Sequence, residues 1–284
     1  NNMNLQNIIK EASIKLKNNN IISHVLDAEI ILADIMGLKR EFLITNDKIN
    51  ISEGIRKKYN TAINRRINHE PIAYITGKKE FWSEDFVTNK STLVPRPETE
   101  LLIYKIVDVF KNKRINILDI GTGTGCILLS LLKELYNSRG IGIDISSEAI
   151  KIAKVNSKNF NLTNRAKFKN SEIDNYNREK YDLIVSNPPY IPSKDIKKLS
   201  KDIINFEPKE ALDGGHDGLD LIKKVIYKSN ILLKRNGMLA LEIGFGQYRR
   251  VSEILRKYKF KEYSKINDYN GNVRCIITTK IDFY

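Results

Sequence analysis

Ile115-Asn116-Ile117-Leu118-Asp119-Ile120-Gly121-Thr122-Gly123-Thr124-Gly125 is the stretch on which the fold turns. Its first six residues form a short apolar run, the pattern of a strand buried on both faces. Glycine at every second position then lets a ligand approach the backbone where a Cβ would stand in the way. Cys126 to Leu132 opens a helix that is apolar at nearly every position. Strand, glycine loop and helix in this order make the first half of a βαβ unit whose loop receives a ligand. Two commoner glycine loops are excluded. A P-loop needs Gly-Lys-Ser/Thr at its end, and the dinucleotide fingerprint needs glycine where Cys126 stands.

The next strand, Gly140-Ile141-Gly142-Ile143-Asp144, ends in a carboxylate and is followed by a helix with Ser147 as its expected cap. A carboxylate at this place can accept both hydroxyls of a ribose; taken alone, it can also be a turn acid favoured by the helix dipole. Further on, Tyr181-Asp182-Leu183-Ile184-Val185-Ser186 reads as another buried strand, and it runs into Asn187-Pro188-Pro189-Tyr190. Proline has no N–H, so this tetrad offers acceptors and almost no backbone donors. The Asn187 side-chain oxygen adds an acceptor and Tyr190 a flat apolar face. Such a cluster suits a planar –NH2 group held by both hydrogens. That grip matters for an amide or exocyclic amine, a poor nucleophile whose lone pair is delocalised. The competing reading is an ordinary strand-ending turn.

Outward from this core, strands alternate with helices from Ile115 onward, which predicts a mainly parallel sheet covered on both faces. Ala166–Lys169 is a third strand. A helix from about Leu219 to Leu233 ends near Gly237, before a strand Met238–Ile243, and Phe260–Ile266 and Val273–Thr279 complete the sheet. Residues 1–70 read as a separate helical bundle. Leu5, Ile8, Ile9, Ala12 and Leu16 recur at helical spacing, Ser23 starts a helix that stops at Gly37, and Ser52-Glu53 opens a third with Ile55, Tyr59, Ala62, Ile63 and Ile67 inward. Residues 71–94 predict a hairpin linker, from Ile72, Tyr74, Phe81 and Phe86-Val87 placed around Gly77. Pro95-Arg96-Pro97 follows, with Pro97 opening a helix and Glu98 and Glu100 in its first turn.

With these residues assembled, the chain resembles the bacterial peptide chain release factor N5-glutamine methyltransferases over nearly its whole length. The resemblance rests on Arg65-Arg66 with Glu70-Pro71-Ile72-Ala73-Tyr74-Ile75-Thr76-Gly77, Phe81-Trp82, Pro95-Arg96-Pro97-Glu98-Thr99-Glu100, the Asp119–Gly125 loop and Asn187–Ile191. Glu207-Pro208, Ala211-Leu212, Gly214-Gly215 and Leu241-Glu242-Ile243-Gly244 extend it. The glycine loop is common to very many methyltransferases, the tetrad narrows the choice to amine and amide methylation, and the Pro-Arg-Pro-acidic segment is the most family-specific of the three. The resemblance implies an α/β fold: a Rossmann-like, seven-stranded methyltransferase domain with its last strand antiparallel (residues 95–284), behind a small helical substrate-recognition domain (1–70).

It implies S-adenosylmethionine as cofactor, held by Asp119, Gly121, Thr122, Gly123, Thr124, Gly125, Asp144 and Asn187. It implies a catalytic cluster of Asn187, Pro188, Pro189 and Tyr190. The reaction is methyl transfer to the glutamine side chain of the Gly-Gly-Gln loop of release factors. Arg96 and Glu98 stay open between ligand contact and structure. One stretch departs from the family: where an acidic and an aromatic residue usually approach the adenine, this chain has Ser171 and Glu172. A hydroxyl can still bond the adenine amine; stacking by Glu172 is not possible.

The alternatives are an adenine-N6 methyltransferase acting on DNA or RNA, a glutamine methyltransferase of a ribosomal protein, and a non-catalytic module that binds cofactor or RNA. The net charge of +14 invites the nucleic-acid reading, but the lysines are spread along the chain and no basic-aromatic groove or target-recognition segment stands out. No stable nucleic-acid complex is expected. Two cysteines and three scattered histidines imply neither a disulfide framework nor a metal. No apolar stretch nears the ~20 residues that span a bilayer, and Asn1-Asn2-Met3-Asn4 lacks a signal-peptide core, so a cytoplasmic enzyme without membrane association is expected.

Overall fold

In the computed structural model, which describes residues 4–46 and 49–281, the chain divides into two units. One runs up to Lys78 and includes Ser200–Phe206; the other comprises Lys79–Leu199 and the chain from Glu207 onward.

The first unit is helical. Asn4 starts α1 (Leu5–Asn18) by accepting the Gln6 N–H on its side chain, and α2 (His24–Met36) stops at Gly37, whose φ of +65° suits glycine. Then come α3 (Arg40–Thr45), α4 (Glu53–Ile67), capped by the Ser52 hydroxyl on the Ile55 N–H, and α5 (Ile72–Thr76). Leu5, Leu16, Ala28, Ile31, Leu32, Leu43, Tyr59 and Ile63 form its core. Under that core lies a buried ion pair: the Arg66 Nε donates to Asp27 Oδ2 at 2.7 Å. Ser23 Oγ donates to the same oxygen at 2.9 Å, and Arg66 Nη1 donates to the Glu70 carbonyl at 3.1 Å. Arg65 holds the Glu70 carboxylate through Nε and Nη2, at 2.8 and 2.6 Å. The Arg65-Arg66…Glu70 motif is thus the internal tie of this unit.

The hairpin expected around Gly77 lies later in the chain. Ile72 and Tyr74 sit in α5, a single turn that starts behind Pro71 and ends on Gly77 in the left-handed region. The hairpin is β1 (Lys78–Phe81) and β2 (Glu84–Val87), and its turn is Trp82-Ser83 at φ +51° and +59°. Two L-residues accept the backbone twist that glycine or asparagine usually takes. Trp82 is anchored at both ends: its N–H donates to Glu100 Oε1 at 2.6 Å and its indole N–H to Glu134 Oε1 at 2.8 Å.

The second unit continues through α6 (Thr99–Phe110), β3 (Asn116–Ile120), α7 (Cys126–Glu134), β4 (Arg139–Asp144), α8 (Ser147–Asn159), β5 (Ala166–Asn170) and β6 (Tyr181–Ser186). The short helix α9 (Lys201–Phe206) belongs to the first unit. After it come α10 (Asp220–Leu232), β7 (Leu233–Glu242), α11 (Tyr248–Lys257), β8 (Phe260–Asn267) and β9 (Val273–Lys280). The seven strands β3 to β9 form one sheet in the order β5-β4-β3-β6-β7-β9-β8, parallel except for β9, which runs against both its neighbours. This is the expected α/β architecture with a reversed last strand. Apolar side chains of α6, α7 and α8 cover one face of the sheet, and those of α10 and α11 the other.

Two local expectations shift. The hydroxyl that caps α8 is Ser146, which accepts the Ala149 N–H at 3.2 Å, rather than Ser147. And α10 passes directly into β7 at Leu233, so Gly237 lies inside the strand, beside Asn236 at φ +58° and a register shift against β6. Among the described residues no helix is long and apolar enough to cross a membrane.

Candidate active site

From β3 the strand order runs outward to β4 and β5, then returns across β3 to β6. The carboxyl ends of β3 and β6 therefore flank the point where the order reverses, the place where open parallel sheets bind ligands. The glycine loop leaves β3 there, and the Asn-Pro-Pro-Tyr tetrad leaves β6.

Backbone bonds shape the loop. Gly121 and Thr122 both donate to the Ile143 carbonyl, at 2.9 and 3.0 Å, which ties the loop to β4. Gly121 and Gly123 have φ of +73° and +54°, and a Cβ built on either meets open space. These two glycines therefore border room rather than packing. Asp144 closes the same space: its Oδ2 accepts the Gly123 N–H and its Oδ1 the Ser146 N–H, each at 2.9 Å. Burial raises its pKa against the backbone N–H groups of Ser146, Gly123 and Ile145. Two amide N–H groups leave lone pairs on both oxygens for further donors.

Asp119 is fully buried behind the loop. Thr122 Oγ1 donates to its Oδ2 at 2.7 Å, while Oδ1 is buried with no partner among the described residues. Desolvation pushes its pKa up to about 7, opposed by the Thr122 bond and aided by the charge of Asp144. Two carboxylates, one with an orphaned oxygen, beside a glycine-bordered space fit a ligand that carries positive charge and hydroxyl donors.

The raised pKa sets a sign. Folded protein binds this proton more tightly than unfolded protein does, so stability falls as pH rises from about 4 to about 7 and is level above. Asp119→Asn keeps an acceptor for Thr122 and removes the buried charge. Ligand-free Asp119→Asn is expected to melt higher than the parent at pH 8, with the advantage shrinking as pH falls below 7. Thermal unfolding across pH checks this; parallel pH profiles for the two proteins would refute it.

At the end of β6, Ser186 Oγ donates to the Ile120 carbonyl at 2.7 Å and locks the two strand ends together. Asn187 follows, half-buried, and its side-chain amide makes no hydrogen bond among the described residues. Tyr190 is held at both ends: Gln247 Nε2 donates to its carbonyl at 2.9 Å, and its hydroxyl lies among Glu242 and Arg274. Ser171 and Glu172 sit just past β5. The Ser171 N–H donates to the Asp144 carbonyl at 3.0 Å, which brings that hydroxyl to the Asp144 side of the site; Glu172 is exposed and accepts from Asn175.

Arg96 has a structural partner. Its Nη2 donates to Glu207 Oε1 at 2.6 Å, and the other oxygen of this buried carboxylate accepts the Val94 N–H at 3.1 Å. Glu207-Pro208 thereby clamps the Pro95-Arg96-Pro97 turn. Glu98 is exposed, and its carboxylate makes no hydrogen bond among the described residues. Sequence reasoning missed Asn156, a buried amide on α8 that bonds Val87 through both its oxygen and its nitrogen, at 2.8 and 3.0 Å, and donates to the Thr124 carbonyl at 2.9 Å. It also missed Gln247. Neither has a local signature that points to the site, because the bond from Asn156 to Thr124 spans 32 residues and the bond from Gln247 to Tyr190 spans 57. Among the described residues no group of acidic, histidine and cysteine side chains could hold a metal.

Comparison with known proteins bears on the family and the fold. Residues 7–77 match the PrmC N-terminal domain and residues 111–243 a methyltransferase domain family. The chain is 38% identical over 284 residues to the release factor glutamine methyltransferase of Buchnera aphidicola subsp. Acyrthosiphon pisum, covering 99% of this chain and 100% of that one. It is 36% identical over 280 residues to the enzyme of the same name from Clostridium acetobutylicum, covering 96% and 98%. Among solved structures, a methyltransferase from Pyrococcus furiosus shares the fold, with a TM-score of 0.54 at 18% identity over 78% of this chain and 98% of that one. Over its whole length, this chain belongs to the release factor glutamine methyltransferase family.

Proposed function

We propose that this chain methylates the side-chain N5 nitrogen of the glutamine in the Gly-Gly-Gln loop of peptide chain release factors, with S-adenosylmethionine as donor. One observation carries the reading. The Asn187 amide, free of protein partners among the described residues, stands beside carbonyls that no proline N–H competes for, at the switch point next to the glycine loop.

S-adenosylmethionine, when bound, supplies a methyl group on a positively charged sulfur. In this reading Asp144 offers its remaining lone pairs to ribose hydroxyls, and Gly121 to Gly125, with Thr122 and Thr124, line the approach. Asp119, fixed by Thr122, presents negative charge to a cationic ligand, and Ser171 and Glu172 border the adenine side. Asn187 Oδ1 and the Pro188 carbonyl accept the two amide hydrogens of glutamine and turn the nitrogen lone pair toward the donor. Pro189 and Tyr190 wall the slot. Positioning of this kind can supply roughly 7–11 kcal/mol of a barrier, and the surplus proton on nitrogen leaves to water without a strong base. The helical unit is then the element that holds a remote part of the protein substrate.

The test offers labelled cofactor to intact release factor, to a variant with the loop glutamine replaced by alanine, to a short loop peptide, and to adenine-rich DNA and RNA. Label is expected on the intact factor, poorly on the peptide, and not on the alanine variant. Label on nucleic acid, or label that survives the loss of the glutamine, would sink the assignment.

A further inference from the structure

Behind Tyr190 lies a buried polar cluster that the proposed chemistry does not use. Glu242, the last residue of β7, is 1% exposed. Its Oε2 accepts the hydroxyl of Thr99, itself buried at the start of α6, at 2.6 Å. Its Oε1 faces the Tyr190 hydroxyl at 3.5 Å, the long end of hydrogen-bonding distance. Arg274, at the start of β9, closes the cluster: its Nη2 donates to the same hydroxyl at 3.3 Å, its guanidinium carbon is 5.9 Å from the centre of the Tyr190 ring, and its Nε is buried without a partner among the described residues. Arg96 and Glu98 add a second pair of charges around that hydroxyl.

The ring is also pinned from the side. A Cβ on Gly244 would come within 2.9 Å of both Tyr190 Cδ2 and Gln247 Oε1, so only glycine lets the β7–α11 turn lie this close. Gln247 spends its amide on that turn, accepting the Gly244 N–H at 2.8 Å and donating to the Tyr190 carbonyl at 2.9 Å. Tyr190 is thus held by its carbonyl, its ring edge and its hydroxyl. Of the groups that hold it, Glu242 is the costly one. A carboxylate taken out of water is expensive unless something requires its charge, and burial raises its pKa accordingly, with Thr99 and Arg274 opposing. A neutral side chain would suffice to fill the space.

We infer that Glu242 is a positioning residue for methyl transfer, fixing the Tyr190 wall of the acceptor slot and tying it through Thr99 to the Pro95–Glu98 turn. The inference rests on the reading of Asn187–Tyr190 as the amide grip. It separates Glu242 from the cofactor residues, since its hydrogen bonds go to Thr99 and Tyr190 and none reaches the glycine loop or Asp144.

The experiment measures kcat, KM and calorimetric cofactor affinity for Glu242→Gln, Tyr190→Phe and the double variant, with intact release factor as acceptor. Each single change is expected to lower kcat by about tenfold or more, short of the roughly hundredfold that a misplacement of about 1 Å can cost. Cofactor Kd is expected to stay within about twofold, and the double variant to be no slower than the slower single, because both changes act on one contact. Wild-type kcat in Glu242→Gln, or losses that multiply in the double variant, would overturn the inference. If Glu242→Gln does not accumulate folded, Tyr190→Phe decides alone: it removes the hydroxyl while leaving the Glu242–Thr99 bond, and wild-type kcat there is the overturning result. The unmodified enzyme keeps the two readings apart. Parent activity on release factor with unaffected variants removes only the positioning role. A parent that methylates some other acceptor removes the substrate assignment, and the same comparison is then made on that acceptor.

Discussion

Asn187→Ala is expected to lower the single-turnover rate of methyl transfer by roughly 10²–10³, the loss that follows removal of one preorganised polar group in a reaction site. The side chain has no structural partner among the described residues, so its removal orphans no buried group and the fold should be indifferent. Cofactor affinity, read by calorimetry, should change far less than the rate. Asn187→Asp adds a finer reading: it keeps an acceptor at the same place but adds charge beside the donor. A wild-type rate in Asn187→Ala would end the argument that the tetrad grips the amide hydrogens.

Asp27→Ala should destabilise the helical unit by about 3–5 kcal/mol, because Arg66 would be left buried and charged without its carboxylate. The pair is 2.7 Å apart and its side chains are only 6% and 11% exposed. Ser23 Oγ would lose its acceptor as well. Denaturant titration followed by the helical circular dichroism signal measures the loss. The double change Asp27→Leu with Arg66→Met should recover most of it, since removal of both charges leaves no uncompensated ion. A loss below about 1 kcal/mol would mean that water reaches Arg66 and screens it.

The strands of the large sheet were legible because a strand buried on both faces writes itself as a short apolar run, and β3, β6 and the loops after them carry glycine or proline at the run's end. The hairpin was misplaced for a related reason. Ile72 and Tyr74 have the spacing of a strand, yet Pro71 and Gly77 bound a stretch short enough for one helical turn. The true turn, Trp82-Ser83, uses residues that carry no turn signal. The choice between Ser146 and Ser147 turned on one residue of register, which two adjacent serines do not reveal. In the site, the residues that face open space were readable as motifs, and those that hold the motifs in place were not. The bonds Asn156–Thr124, Gln247–Tyr190 and Thr99–Glu242 join residues between 32 and 143 positions apart. Arg96 shows the same limit from the other side: its motif and Glu207-Pro208 were both visible, but their pairing across 111 residues was not.

The place of β9 between β7 and β8 bears on how the chain can mature during synthesis. When β8 leaves the ribosome it has no neighbour in the sheet, and β7 presents a bare edge of unpaired backbone groups. Both wait for one later segment, so the nascent enzyme passes through a stage in which six of its seven sheet strands exist and only five can pair. A chain broken off before Val273 therefore loses two strands from the sheet rather than one. It also loses the β9 backbone that runs alongside Glu242, whose register partner is Cys275. The last strand made completes the wall behind the acceptor slot, so a partly made chain holds the glycine loop before it holds the finished slot.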